Sequence, residues 1–193
     1  MNILLVQGHP DTGEKHFCHA IAEAYAEAAR QGGHEVRRID IGTLDFSVLR
    51  SRREWEGAVV SPDIVRAQQD ILWSRHIVLV FPLWLGEAPA LLKAFFEQVM
   101  RPSFAVPALE SAKSVRPLAG RSAHLMVTMG MPAAFYRIWY RAHGLKNLKR
   151  NMLNFVGIKP VRLSLFGMVE GRDATPREKF LAEVKSFPGK LRE

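Results

Sequence analysis

A doubly wound α/β fold, with a parallel sheet covered by helices on both faces, is predicted by three observations. Short apolar runs bounded by turn residues alternate along the chain with longer segments of helical period. The runs Ile3–Val6 and Ile77–Phe81 are apolar without interruption, as expected for strands buried on both faces. Right-handed crossovers between parallel strands then bring helices to both sides of one sheet.

Each element has its own justification. Ile3–Val6 stands directly before the Gly8-His9-Pro10 turn and is predicted as the first strand. Phe17–Gln31 carries Phe17, Ile21, Ala24 and Ala28 at helical spacing, and Gly32-Gly33 stops it. Glu35–Asp40 is the second strand, and residues 42–62 are expected to be irregular. Ser61-Pro62-Asp63 provides a cap, an early proline and an acid for a helix over Ile64–Trp73. His76–Phe81 is β-branched, apolar and ended by Pro82, so it is the third strand. Pro89 opens a helix over Ala90–Met100. Ser122–Met129 and Val161–Phe166 are the last two strands, with helices predicted over Ala142–Phe155 and Pro176–Phe187. No repeat or linker divides the chain, so residues 1–193 are expected to form a single domain.

Composition excludes several function classes. The chain is 48% hydrophobic and 24% charged, which suits a packed soluble domain rather than a disordered one. A single cysteine, Cys18, excludes an internal disulfide and a cysteine-rich zinc site, and no metal is expected. The amino terminus has no basic region and only a short apolar run, and no uncharged apolar stretch approaches the ~20 residues of a membrane span. A cytoplasmic protein is expected. The net charge of +8 is local: residues 1–110 hold 11 basic and 14 acidic side chains, whereas residues 111–169 hold 10 basic and no acidic ones. Basic and aromatic residues interleave at 135–150, but no nucleic-acid-binding motif accompanies them, and no nucleic-acid partner is expected.

In doubly wound sheets ligands bind beyond the carboxyl ends of the strands, so three loops matter most. The first, Gln7–His16, feeds a helix amino terminus suited to a phosphate. It lacks the Lys-Ser/Thr of a Walker loop and the G-x-G-x-x-G of a dinucleotide loop. It is either a mononucleotide-phosphate loop with His9, Thr12 and His16 as polar contacts, or an ordinary strand–helix connection. The second, Phe81–Pro89, contains Leu83-Trp84-Leu85 between two prolines. Exposing such area forfeits ~25 cal/mol per Å², so it reads as the wall for a flat ligand or as a surface covered by a partner subunit. The third, Thr128–Pro132, leads to Phe135, Tyr136, Trp139, Tyr140 and His143. Tyr136 and His143 can transfer protons; the aromatic cluster serves a ligand, the core or a dimer contact.

Taken together, His9-Pro10 with His16-Phe17-Cys18, Phe81-Pro82-Leu83-Trp84 through Pro89-Ala90-Leu91-Leu92-Lys93, Thr128-Met129-Gly130 with Tyr136, and Gly157-Ile158 resemble the flavodoxin-like NAD(P)H:quinone oxidoreductases. That group includes ancillary flavoproteins of bacterial potassium efflux systems. The resemblance spans the chain and implies a flavodoxin-like three-layer sandwich, a five-stranded parallel sheet in the order 2-1-3-4-5, tightly bound FMN or FAD, and a homodimer. It implies that His9, His16, Phe17 and Cys18 hold the flavin phosphate. Pro82, Leu83, Trp84, Leu85 and Gly86 would line the isoalloxazine, and Thr128, Met129, Gly130 and Met131 its pyrimidine edge. Tyr136 and His143 would be the catalytic pair. His16 and Cys18 stand where the family usually has Ser and Asn, and Met131 where it usually has Gly.

The activity so implied is ping-pong hydride transfer from NAD(P)H, as co-substrate, through the flavin to a quinone or similar acceptor. A second class is an ancillary subunit that senses redox state for a cation efflux transporter. For Arg137, Arg141, Lys146, Lys149 and Arg150 three roles stand open: steering the anionic dinucleotide, docking a partner, or solvating a helix face.

Overall fold

The computed structural model describes residues 1–57, 59–102, 104–105, 116–171 and 174–191. The first five residues of the acid-free stretch 111–169 therefore lie outside the described residues. Five parallel strands form one sheet: β1 Asn2–Gln7, β2 Glu35–Asp40, β3 His76–Pro82, β4 Ser122–Thr128 and β5 Val161–Phe166. Their order is β2-β1-β3-β4-β5, so the flavodoxin-like sandwich and its strand order are borne out. β1 and β3 lie side by side with Ile3 opposite His76 and Gln7 opposite Val80.

Strand alternation divides the core in two. Ile3 and Leu5, with Val78, Val80 and Met126, face α1 (Phe17–Gln31) and α7 (Thr175–Lys185), where they bury Ile21, Tyr25 and Val184. Leu4 and Val6, with Ile77, Leu79, Phe81, Leu125 and Val127, face the other side. There they meet Ile64 and Ile71 of α3 (Pro62–Trp73) and Leu92 and Phe95 of α4 (Ala90–Val99). Both faces of the central strands are thus covered, which is why their sequences do not alternate with polar residues.

Three local departures from expectation have physical causes. Residues 42–62 include α2 (Arg52–Glu56), begun by Ser51, whose hydroxyl accepts the Glu54 N–H. Buried Arg101 holds the chain after it by donating to the carbonyls of Gly57 and Val59. A further helix, α5 (Ala133–Ile138), follows Pro132, where a continuing loop is predicted; Ala133-Ala134 after a proline is a strong helix start. The helix predicted over Ala142–Phe155 is α6 (His143–Asn147), running into a π-helical turn over Leu148–Leu153. Arg141 and Ala142, both in the left-handed region at φ 52° and 48°, separate α5 from α6.

At the opposite edge from the loops, two buried histidines tie neighbouring strands. His76 Nδ1 lies 2.7 Å from Ser122 Oγ, and His124 Nε2 lies 2.9 Å from Ser164 Oγ. Burial pushes their imidazoles down to about 3 and about 4. No helix among the described residues is long and apolar enough to cross a membrane.

Candidate ligand cleft at the carboxyl edge of the sheet

A cleft of about 450 Å³ opens where β1, β3 and β4 end, with His9, His16, Trp84, Thr128 and Glu170 among its walls. Its first wall is a chain of hydrogen bonds. Buried Gln7 accepts the His9 N–H through Oε1 at 2.9 Å, and its Nε2 has no partner. His9 Nδ1 accepts the Asp11 N–H at 3.1 Å, and Asp11 Oδ1 accepts the Gly13 N–H at 2.8 Å. The other Asp11 oxygen meets His16 Nε2 at 2.7 Å. One turn further on, His19 Nδ1 accepts the His16 N–H at 3.1 Å and closes the start of α1.

Three imidazoles gather there. The rings of His9 and His16 stack at 3.9 Å between centroids, and His19 stands 5.6 Å from His9. Burial and then the neighbouring imidazoles hold His9 below its ordinary pKa, and burial lowers His19. The hydrogen bond from His16 holds the Asp11 carboxyl below its usual range. Asp11, Glu14 and His16 bring three donor atoms within 4.8 Å of one another, with Asp11 and His16 already engaged to each other. The first turn of α1 contains no acidic residue, and the amides of Phe17 and Cys18 precede any intrahelical acceptor. Cys18 itself is 1% exposed, with Sγ 3.1 Å from Thr128 Oγ1, and burial pushes its thiol up to about 12. What Cys18 can offer an anion is its amide rather than its sulfur.

The second wall is a tight turn. Trp84 and Glu87 exchange both backbone hydrogen bonds at 2.9 Å, with Leu85 and Gly86 at φ 49° and 82° between them. Two positive φ values define a type I′ turn, which glycine accepts readily and leucine does not. The Leu83 N–H donates to the Thr128 carbonyl at 2.8 Å, joining this wall to β4. The Trp84 ring meets His9 edge-on, 5.8 Å between centroids, and so joins it to the first wall. Leu85 projects fully into solvent.

The third wall supports the second. Tyr136 is 1% exposed, and its hydroxyl donates to the Gly86 carbonyl at 2.8 Å. Burial raises the phenol above its ordinary pKa. Gly144 abuts the same carbonyl so closely that an added Cβ would lie 2.4 Å from it. Exposed His143 is the residue before it. Tyr136 and Gly144 thus meet one turn, with the phenol pointed at its backbone and His143 next in sequence. The aromatic that faces outward is the preceding residue, Phe135, half-exposed and stacked on Trp139.

Residues 168–170 close the cleft from β5. The Met168 and Val169 amides donate to the carbonyls of Met131 and Met129, at 3.2 and 3.3 Å. The Glu170 carboxylate lies over Gly130, 3.0 Å from where a Cβ would stand. Asp11, His19 and Glu170 were not predicted as site residues. His19 carries a signal in its spacing, three residues after His16, and Glu170 in being the first acid after the acid-free stretch.

A 2-1-3-4-5 parallel sheet covered by helices on both faces defines a protein of the flavodoxin-like class. The family described as having a flavodoxin-like fold matches residues 1–187, and the chain belongs to it. The chain is 28% identical over 182 residues to a Haemophilus influenzae protein named as an NAD(P)H oxidoreductase, covering 92% of this chain and 89% of that one. It is 26% identical over 181 residues to the rat NAD(P)H dehydrogenase (quinone) 1, covering 81% of this chain and 65% of the rat protein. Among solved structures, an NAD(P)H:quinone oxidoreductase from Methanothermobacter marburgensis aligns with a TM-score of 0.82 at 19% identity, over 100% of this chain and 98% of that chain. An FMN-dependent NADH-azoreductase from Bacillus anthracis, in complex with FMN, aligns with a TM-score of 0.74 at 16% identity, over 100% and 99%.

Proposed function

We propose that this chain is a cytoplasmic flavin-dependent NAD(P)H oxidoreductase that reduces a quinone or a similar acceptor. The observation that carries the reading is the convergence of three loops on one cleft, with free helix amides at one end and an apolar turn at the other. The two curated relatives above, named for NAD(P)H chemistry, support it. The residues fit FMN or FAD. The Phe17 and Cys18 amides, flanked by His9, His16 and His19, form a cradle for a phosphate without a fixed positive charge. Pro82 and Trp84 offer an apolar side for a planar ring, and the backbone of Thr128–Met131 offers polar groups at its rim. When bound, the flavin supplies the two-electron relay by which one substrate is oxidised and the next reduced in turn.

The chain's own residues bind, orient and exclude. Trp84 and Leu83 keep water from one side of the ring, and the Thr128 carbonyl fixes Leu83. Tyr136 acts on this machinery as a positioning residue, because its hydroxyl holds the Gly86 carbonyl. His143, exposed beside that turn, is the residue that hands a proton to a reduced acceptor, a contribution of ~10²–10⁴-fold in general acid catalysis. Homodimerisation suits the surface. Leu85, Trp139 and Phe135 are exposed at 107%, 74% and 47%, apolar side chains that a second copy would cover.

The test is direct. The purified protein should be yellow, release FMN or FAD on denaturation, and oxidise NAD(P)H with a quinone present. A colourless protein that neither takes up flavin nor oxidises NAD(P)H would refute the reading.

A further inference from the structure

A groove of about 860 Å³ lies between α5–α6 and β5. Its floor is apolar, with Ile138, Leu163 and Leu165, and its rim carries Arg137, Arg141 and Lys146. None of the three cations forms an ion pair among the described residues. Residues 111–169, which supply every side chain lining the groove, contain no acid. Arg141 and Ala142 line the groove from the left-handed region, a backbone conformation that costs energy in residues bearing a Cβ and that gathers at ligand sites.

Three cations over an apolar floor select an organic anion with a flat or apolar body and a multiply charged head. The sheet order puts β5 next to β4, whose end lines the cleft. The phosphate cradle follows β1 and the ring wall follows β3 and β4, so the groove beside β5 is the next position outward on the ring side. A dinucleotide with its nicotinamide at the ring would extend its other half away from the cradle and toward this groove. We propose that the groove binds the 2′-phosphorylated adenosine half of NADPH, with Arg137, Arg141 and Lys146 on the phosphate and Ile138, Leu163 and Leu165 under the adenosine. The inference rests on the redox reading above and makes these three cations the determinants of NADPH over NADH.

The probe is 2′,5′-ADP, titrated calorimetrically into the purified protein, with 5′-AMP as the comparison. Binding of 2′,5′-ADP at least tenfold tighter than 5′-AMP is expected. The triple substitution Arg137→Gln, Arg141→Gln and Lys146→Gln should remove that difference, whereas Lys185→Gln on α7 should keep it. In steady-state kinetics the ratio of kcat/KM for NADPH to that for NADH should fall at least tenfold in the triple variant. Equal binding of the two nucleotides, or an unchanged ratio, overturns the inference while leaving the redox reading standing. Specific 2′,5′-ADP binding through these cations in a protein that oxidises no NAD(P)H supports the groove and sinks the redox reading. A triple variant that loses self-association, with no 2′,5′-ADP binding in the parent, assigns the groove to a second copy of the chain and overturns the proposal.

Discussion

The two places proposed above to hold an anion, the first loop and the groove beside β5, would solve the same problem by opposite means. At the first loop, the start of α1 and the imidazoles of His9 and His16 line the cleft, with His19 behind them and His9 and His19 held below their ordinary pKa, within a half of the chain where acids outnumber bases. At the groove, Arg137, Arg141 and Lys146 stand exposed, with no acid in their stretch of sequence. On these proposals the first site would depend on backbone geometry and the second on bulk charge. Geometry retains a ligand through turnover; charge attracts one that must arrive and leave.

The comparison breaks most severely if the geometry is disturbed. Gly42 sits against the first loop so closely that a Cβ would lie 2.4 Å from the Pro10 carbonyl oxygen. Gly42→Ala should therefore lower flavin affinity by roughly tenfold or more, at a stability cost of about 1–3 kcal/mol. Flavin content after gel filtration and chemical denaturation measure the two effects, and a variant that keeps its flavin would show that the loop is not set by this packing.

Salt separates the two regions next. Exposed cations are screened over about 8 Å at physiological ionic strength. Raising NaCl from 50 to 500 mM should lift the KM for NADPH about three- to tenfold and change FMN affinity by less than about twofold. Parallel responses would mean that one mechanism serves both ends.

Protons should act on the first loop alone. His9 and His19 titrate below their ordinary 6.5, so both are uncharged near neutral pH. A bound phosphate dianion favours their protonated forms. Binding then takes up protons, and FMN affinity should rise roughly two- to fivefold from pH 8 to pH 6. Below about pH 6 the phosphate begins to lose its own charge and the gain should stop. Asp40 and Arg38, which act on His19 in opposite directions, limit the size of the effect. A flat profile in a fluorescence titration would leave the amides as the whole of the cradle.

The smallest effect concerns the turn that joins both regions. Tyr136→Phe removes one hydrogen bond to Gly86 and should cost about 1 kcal/mol, or about 2–4 °C in Tm. An unchanged Tm with an NAD(P)H oxidation rate reduced a hundredfold would instead make Tyr136 a direct proton donor.

How much of this is legible in the sequence follows from where each signal lies. β3 and β4 bury every residue but Ser122, so continuous apolar runs announced them, and the glycines and prolines around the helices set most boundaries within two residues. The three loops were legible as the ends of β1, β3 and β4. The convergence of Tyr136 and Gly144 on Gly86 was not, because it depends on two left-handed residues, Arg141 and Ala142, that carry no glycine signal. Glu170 was hidden for another reason: it reaches the cleft only because Met168 and Val169 pair with the loop after β4. Pro132 signals a turn and a helix start equally well, and α5 follows from the second meaning.

The buried Cys18 gives the molecule a chemical blank. Its thiolate is suppressed and its sulfur shielded from solvent, so alkylating reagents have nothing to attack in the folded protein. A cysteine introduced at an exposed position such as Val59 would then be the lone reactive thiol. A single spectroscopic label could be carried there while the native sulfur stays silent, and the onset of Cys18 modification would itself report unfolding.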